Sequence, residues 1–150
     1  MELILWRHAE AADGMPDMER PLTDKGHRQA ARMAQFLHGR LPHGTRILAS
    51  PALRTQQTVQ ALTRHYTTDP HIAPGASADA LLHAAGWPDD GGCVLLVGHQ
   101  PTLGSVAAEL LCGGHAIFSI RKGAIWWLAR RSREGDEQTT LRLVIAPDQL

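Results

Sequence analysis

Two arginines and two histidines come directly after apolar segments that have the character of buried strands. Arg7 and His8 follow the first segment, Arg54 comes shortly after the second, and His99 follows the third. Guanidinium groups match the oxygens of phosphate and carboxylate groups through paired hydrogen bonds. Cations that are brought together in a fold need an anion to neutralise them. The spacing therefore predicts an anion-binding site, provided that the fold brings these segments together.

The elements that must position these residues can be predicted from apolar runs. Three runs have the length and branching of strands buried on both faces: Leu3 to Trp6, Arg46 to Ala49, and Cys93 to Val97. A segment with helical periodicity follows each run. We therefore expect an α/β fold, in which a mostly parallel central sheet is flanked by helices on both faces. The carboxyl ends of its strands would form the ligand crevice.

Helices and a terminal hairpin complete the prediction. Apolar spacing and candidate N-cap residues predict helices at Thr23 to about Leu41, Ser50 to about Tyr66, Ser77 to Ala85, and Thr102 to Leu111. In the second helix, Ser50 is expected as N-cap and Pro51 as the first helical residue. Strands at about Ala124 to Arg130 and Thr139 to Ile145, joined by a polar turn at Ser132 to Glu137, predict an antiparallel hairpin.

Composition limits the classes of protein to which the chain can belong. Its 150 residues suit a single domain, 1–150, and 15 basic residues balance 15 acidic ones. The resulting net charge of zero supplies no field for collecting nucleic acid or an anionic membrane, so neither is expected as a partner. Two distant cysteines and no recognisable signal peptide lead us to expect a cytoplasmic protein.

The remaining cysteines, tryptophans and histidines are assigned to structure. Cys93 and Cys112 are expected to be small buried residues. Trp126 and Trp127 point to opposite faces of their strand, and we expect core packing from them. The nine histidines show no spacing typical of a metal site, so we expect neither a metal nor a cofactor.

Four segments together resemble the histidine phosphatase superfamily, which is named for an Arg-His-Gly motif. They are Leu3 to Glu10, Arg20 to Gly26, Ser50 to Thr58, and Gly98 to Pro101. The resemblance extends from Leu3 to about Leu110 and is greatest to the short bacterial phosphohistidine phosphatases. It implies a minimal phosphoglycerate-mutase-like fold with no cap domain, because the segments between the motifs are short.

The resemblance also implies roles for individual residues. His8 would be the nucleophile, Arg7, Arg54 and His99 would bind the phosphoryl group, and Arg20 would be a further phosphate ligand. Elementary chemistry agrees, because a neutral imidazole is nucleophilic near pH 7 and guanidinium groups stabilise phosphoryl oxygens. The mechanism implied is transfer of the phosphoryl group to His8, followed by in-line attack of water.

The general acid is the weakest part of the pattern. Larger members of the family place a Glu between the second and third strands, whereas residues 72–88 contain only one carboxylate, Asp79. Asp79 is better explained as a favourable charge in the first turn of a short helix. Asp17, in the loop before Arg20, is the other candidate acid, and Glu10 and Glu19 could also approach the pocket.

The leading hypothesis is a phosphatase that hydrolyses phosphohistidine on a protein partner, because an open pocket suits a phosphorylated side chain. Phosphate or sulfate is expected to occupy this pocket. One alternative is a small-molecule phosphomonoesterase of the same family. The other is a weakly active module that binds a phosphorylated ligand. It is suggested by the missing Glu and by Ala9, which replaces the family glycine and would be strained if that position required a positive φ.

Overall fold

The computed structural model describes all 150 residues, and its centre is a six-stranded sheet. The strands are β1 Glu2–Arg7, β2 Arg46–Ala49, β3 Thr67–Thr68, β4 Cys93–Gly98, β5 Ile125–Arg133 and β6 Asp136–Ile145. Their order across the sheet is β3-β2-β4-β1-β5-β6. The first four strands in this order are mutually parallel, while β5 pairs antiparallel with both β1 and β6. The predicted mostly parallel sheet with a terminal hairpin is confirmed.

Four helices cover the two faces of this sheet. They are α1 Asp24–Leu37, α2 Leu53–Gln60, α3 Ala78–Ala85 and α4 Thr102–Cys112. Side chains alternate along β1, so that Leu3 and Leu5 enter a core under α3 and α4. Ile4 and Trp6 enter the opposite core, under α1 and α2. The continuous apolar strands of the sequence are explained by this burial on both faces.

The predicted helix starts are confirmed at α1 and α3. The hydroxyl oxygen of Thr23 accepts a hydrogen bond from the Gly26 N–H (2.9 Å), and that of Ser77 accepts one from the Ala80 N–H (3.1 Å). Gly113 ends α4 in the left-handed conformation. α1 ends at Leu37, four residues before the predicted position, because the chain turns there.

The prediction for α2 is wrong at both ends. The helix begins at Leu53 with Ala52 as its N-cap, and the Ser50 hydroxyl instead contacts a histidine ring and accepts a hydrogen bond from the Ala52 N–H (3.2 Å). It ends at Gln60, and the chain then turns and forms the short strand β3, which was not predicted.

The hairpin and its tryptophans follow the prediction more closely. The turn between β5 and β6 is shorter than expected and consists of Glu134 and Gly135. Trp127 is buried in the α1 and α2 core, whereas Trp126 is half-buried against the other core. Cys93 is buried, but the prediction for Cys112 is wrong, because it is exposed at the end of α4. None of the four helices is long and apolar enough to span a membrane.

Candidate active site

The site lies where β1, β2 and β4 end. β4 lies between the other two strands, so the residues that follow all three meet at one edge of the sheet. The His8 N–H donates to the Gly98 carbonyl (3.1 Å), which ties the ends of β1 and β4 together. The imidazole rings of His8 and His99 are 5.3 Å apart, centre to centre. The fold thus brings together residues separated by about ninety positions in the chain.

The His8 ring is held in one orientation by the backbone. Its Nδ1 lies 2.7 Å from the Ala9 carbonyl oxygen, which can only accept, so Nδ1 carries the proton. Nε2 is then the nitrogen with a free lone pair. Burial, together with the charges of Arg54, Arg7 and Arg20, lowers the pKa of His8 to about 4. At neutral pH the ring is therefore uncharged.

Ala9 is accommodated without backbone strain. Glu134 is the single non-glycine residue with a positive φ, so position 9 does not need the freedom of glycine. The Ala9 side chain is buried beside Leu22 and Ala30. The backbone N–H of Ala9 donates to the Thr58 hydroxyl oxygen (3.1 Å), and that hydroxyl donates to the Arg54 carbonyl (2.7 Å). Thr58 thereby links the loop that follows β1 to α2.

His99 is positioned by Ser50 from the end of β2. Its Nε2 lies 2.7 Å from the Ser50 hydroxyl oxygen, which already accepts from the Ala52 N–H. When the Ser50 hydroxyl donates its proton to Nε2, Nδ1 of the neutral ring carries the N–H. Burial, with the nearby His8 and Arg54, lowers the pKa of His99 to about 3. His99 is thus a neutral hydrogen-bond donor in this arrangement.

Asp17 binds two of the predicted phosphate ligands. Arg54, which is 5% exposed, donates through Nη1 to the Asp17 carbonyl (2.9 Å) and through Nη2 to Asp17 Oδ2 (3.1 Å). Arg20 donates through Nη1 to Asp17 Oδ1 (3.0 Å) and through Nε to the Ala12 carbonyl (2.8 Å). The loop between β1 and α1 therefore fixes both guanidinium groups at the edge of the site.

Arg7 is held by a segment in which the sequence indicated no role. Its Nη1 donates to the Ile120 carbonyl (2.7 Å), and the Gly123 N–H donates to the His8 carbonyl (3.0 Å). The segment that precedes β5 thus closes one side of the site. Backbone carbonyls occur at every residue, so no sequence signal could have singled out Ile120.

Three buried side-chain nitrogens have no hydrogen-bond partner within the protein. They are Arg7 Nε, Arg54 Nε and His99 Nδ1, and they are the complete set of such buried side-chain atoms. A buried donor without an acceptor costs about 1–3 kcal/mol. All three belong to residues that the sequence predicted as phosphoryl ligands, and a tetrahedral oxyanion offers several acceptors to such a group. No three His, Cys, Asp or Glu side chains are grouped so that they could hold a metal ion.

The two candidate general acids lie in different surroundings. Hydrogen bonds from Arg20 and Arg54 stabilise the ionised Asp17 carboxylate and lower its pKa, which makes it a poor proton donor. Asp79 is exposed at the second position of α3 and makes no hydrogen bond or ion pair through its side chain. Glu10 accepts a hydrogen bond from the Thr23 hydroxyl (3.0 Å). Glu19 lies exposed in the short helical turn that contains Asp17.

Comparisons with known proteins agree with this geometry. The family model of the histidine phosphatase superfamily (branch 1) matches residues 3–77. An uncharacterised protein of Picosynechococcus is 37% identical over 147 residues, covering 83% of this chain and 87% of that protein. The phosphohistidine phosphatase SixA of Escherichia coli is 32% identical over 124 residues, covering 75% of this chain and 76% of that protein.

A solved structure extends the similarity to the whole chain. The protein histidine phosphatase SixA complexed with tungstate superposes with a TM-score of 0.82 at 27% identity, and the match covers 99% of both chains. The predicted phosphoglycerate-mutase-like fold, with no additional domain, is confirmed. Sequence and structure agree that the chain belongs to the histidine phosphatase superfamily and is a phosphatase.

Proposed function

We propose that this phosphatase hydrolyses phosphohistidine on a protein partner, through a phosphoryl group carried transiently by His8. The observation that carries the proposal is the combination of a neutral His8 with three buried donors that have no partner within the protein. The similarity to SixA, a phosphohistidine phosphatase in Escherichia coli, supports this choice of substrate. The tungstate complex of a SixA structure supports binding of phosphate or a similar oxyanion at the equivalent place.

The proposed reaction has two displacements at phosphorus. The lone pair on His8 Nε2 forms a bond to phosphorus while the bond from phosphorus to the substrate imidazole nitrogen breaks. That imidazole leaves with a proton taken from solvent. Arg7, Arg54 and His99 donate to the phosphoryl oxygens as negative charge spreads over them, and Arg20 adds a further positive charge. Water then attacks phosphorus from the opposite side, releases phosphate and restores neutral His8.

The surroundings of Asp17 favour a phosphoramidate substrate. An alkoxide is a poor leaving group and requires a proton, whereas the nitrogen of a phosphoramidate can be protonated from solvent. Asp17 is ionised and bound to two arginines, and Asp79 is exposed without contacts. A site without a strong general acid therefore suits phosphohistidine better than an alkyl phosphate.

The two alternatives have less support. A weakly active module that binds phosphorylated ligands was suggested by Ala9 and by the missing Glu, and the unstrained backbone at position 9 removes the first of these arguments. A small-molecule phosphomonoesterase would use the cleft of about 400 Å³ beside Arg7 and Glu10. The phosphomonoesterase hypothesis requires a proton donor for the alkoxide leaving group.

Turnover of a substrate panel distinguishes these functions. The panel contains a histidine-phosphorylated protein, a phosphohistidine peptide, and sugar phosphates, and free phosphate is measured. We expect hydrolysis of both phosphohistidine substrates and an acid-labile phosphoryl label on the wild-type protein after rapid quenching. Faster hydrolysis of sugar phosphates would favour the phosphomonoesterase, and binding without turnover would favour the module.

A further inference from the structure

A groove lined with basic side chains leaves the site on the side of Arg7. It consists of two adjoining clefts of about 400 and 270 Å³, and both are lined by Lys25, Gln29, Pro147 and Asp148. The six basic side chains along this basic groove are Arg7, Lys25, Arg28, Arg32, Arg121 and Lys122. Its acidic side chains are Glu10 and Asp148. Positive charge is therefore concentrated here, in a chain whose formal net charge is zero.

Most of these cations have no close acidic partner within the protein. Arg28, Arg32 and Lys122 are exposed and make no ion pair or side-chain hydrogen bond. Arg7 donates to the Ile120 carbonyl, Lys25 lies 3.9 Å from Glu10, a long contact, and Arg121 alone has a close acidic partner, Asp148 at 2.9 Å. Unpaired charges on one surface attract a partner of opposite charge and speed its association.

The position of these cations on α1 is unfavourable for the helix itself. Lys25 is the second helical residue and lies in the first turn, at the positive end of the helix dipole, and Arg28, the fifth residue, lies just beyond that turn. Helix stability favours acidic residues here, and Asp24 is the one acidic residue of the first turn. The positive charge of Lys25 beside the site therefore carries an electrostatic cost for the helix.

The shape of the basic groove suits a protein surface. Lys25, Arg28, Gln29 and Arg32 are spaced i, i+3, i+4 and i+7, so they form one stripe along α1. This stripe extends about 10 Å, at 1.5 Å per residue. Arg7 lines the cleft of about 400 Å³, whereas Arg28 and Arg32 line the cleft of about 270 Å³, which Arg7 does not line. A partner with a folded acidic surface can contact the whole stripe.

We propose that the basic groove docks an acidic surface next to the phosphorylated side chain of a protein substrate. This inference rests on the proposed function, because it specifies which phosphoproteins the same site accepts. Charge complementarity identifies an anionic partner, and the lack of aromatic side chains in either cleft favours an acidic protein over a single-stranded nucleic acid, whose bases would stack on such side chains.

The test uses matched phosphopeptides and charge-reversed variants. Two phosphohistidine peptides of equal length carry either four glutamates or four glutamines beside the phosphorylated residue, and a phosphotyrosine pair has the same flanks. The groove variant is Arg28→Glu/Arg32→Glu. The control is Arg131→Glu/Arg133→Glu, which makes the same charge change at exposed positions near the β5–β6 turn, far from the site.

We expect the wild-type protein to prefer the glutamate peptides by about tenfold in kcat/KM, as rim charges do in steered association. The groove variant should lose this preference, the control should keep it, and hydrolysis of p-nitrophenyl phosphate should stay unchanged in both. Binding of the same peptides to His8→Ala, measured by fluorescence anisotropy, gives a readout that does not depend on turnover.

The outcomes separate the two proposals. If the phosphohistidine peptides are inert but the phosphotyrosine peptides react, the proposed substrate class is wrong, and the phosphotyrosine pair still measures the flank preference. Equal rates and equal binding for both flanks, or a preference that survives in the groove variant, would overturn the docking surface. It would also be overturned if a single-stranded oligonucleotide bound more tightly than the acidic peptides and lost that binding in the groove variant.

Discussion

The anion-binding site and the basic groove meet at Arg7, yet their cations are held in opposite ways. In the site, Arg54 is 5% exposed and bonded to Asp17, and Arg7 is bonded to the Ile120 carbonyl. Along the groove, Arg28 and Arg32 are exposed and unpaired. Buried, oriented donors act over hydrogen-bond distances, whereas exposed charges act at longer range and are screened by salt.

This difference separates two kinds of selectivity. Oriented donors around His8 can distinguish the charge distribution of a transition state, because their positions are fixed before the reaction starts. Flexible charges on the surface cannot do this, but they can favour the approach of one partner over another. Changes in the site should therefore affect all substrates alike, and changes in the groove should affect only those with acidic flanks.

The largest effect is expected from His8→Ala. Loss of a nucleophile should reduce kcat by about 10⁴-fold or more for every substrate. Phosphate should still bind, because Arg7, Arg54 and His99 remain. Steady-state turnover measures the loss of kcat, and titration calorimetry measures the retained phosphate binding. Near-normal turnover by the variant would disprove the role of His8.

A second large effect concerns the leaving group. Without a strong general acid, phosphoramidates and aryl phosphates should react about 10²–10⁴-fold faster than alkyl phosphates. Asp79→Asn should leave this ratio unchanged, because the Asp79 side chain makes no contact. The ratio is measured from kcat/KM over a series of leaving groups. Selective loss of alkyl phosphate hydrolysis in Asp79→Asn would show that an acid operates there.

An intermediate effect is expected from Arg54→Lys. Lysine keeps the charge but cannot donate to both the carbonyl and the carboxylate of Asp17 while it contacts the substrate. We expect kcat to fall by about 10²-fold for acidic and neutral peptides alike. The matched change in the groove, Arg28→Lys, preserves an unpaired charge and should leave all rates near those of wild type. A similar loss in both variants would remove the distinction between site and groove.

The smallest effect is a pH dependence of stability. The pKa values of His8 and His99, about 4 and about 3, lie below the ordinary value of 6.5. Between pH 6.5 and 4 the unfolded chain binds protons that the folded chain does not, so the free energy of unfolding falls as pH falls. For His8 alone the loss should reach about 2 kcal/mol by pH 4.5.

Urea denaturation at several pH values measures this loss. Added phosphate should reduce this loss in the free energy of unfolding at low pH, because a bound anion favours the protonated imidazoles of the folded protein. His99→Gln should flatten the pH dependence, while His115→Gln serves as a control that removes an exposed imidazole. Parallel curves for wild type and His99→Gln would contradict the prediction.

The strand ends could be predicted because strands buried on both faces are continuous apolar runs. The residues that follow these runs could therefore be identified as candidates for the site. Ser50 shows where local patterns fail. Ser-Pro fits a helix start, but the hydroxyl bonds to His99, which lies 49 residues away in the chain. The contacts of Asp17 with Arg54 and of Ile120 with Arg7 each join a regular element, α2 or β1, to a segment that has no helix or strand periodicity to interpret.

Gly26 determines how α1 meets the loop after His8. A Cβ atom at this position would lie 2.0 Å from the Glu10 carbonyl oxygen, so any larger residue would push the helix away. α1 therefore keeps its register against the loop when its exposed residues are replaced. Positions 28 and 32 can then vary between descendants of one gene without disturbing the reacting atoms. New partners could be acquired by substitution along one helix face while the chemistry is inherited intact.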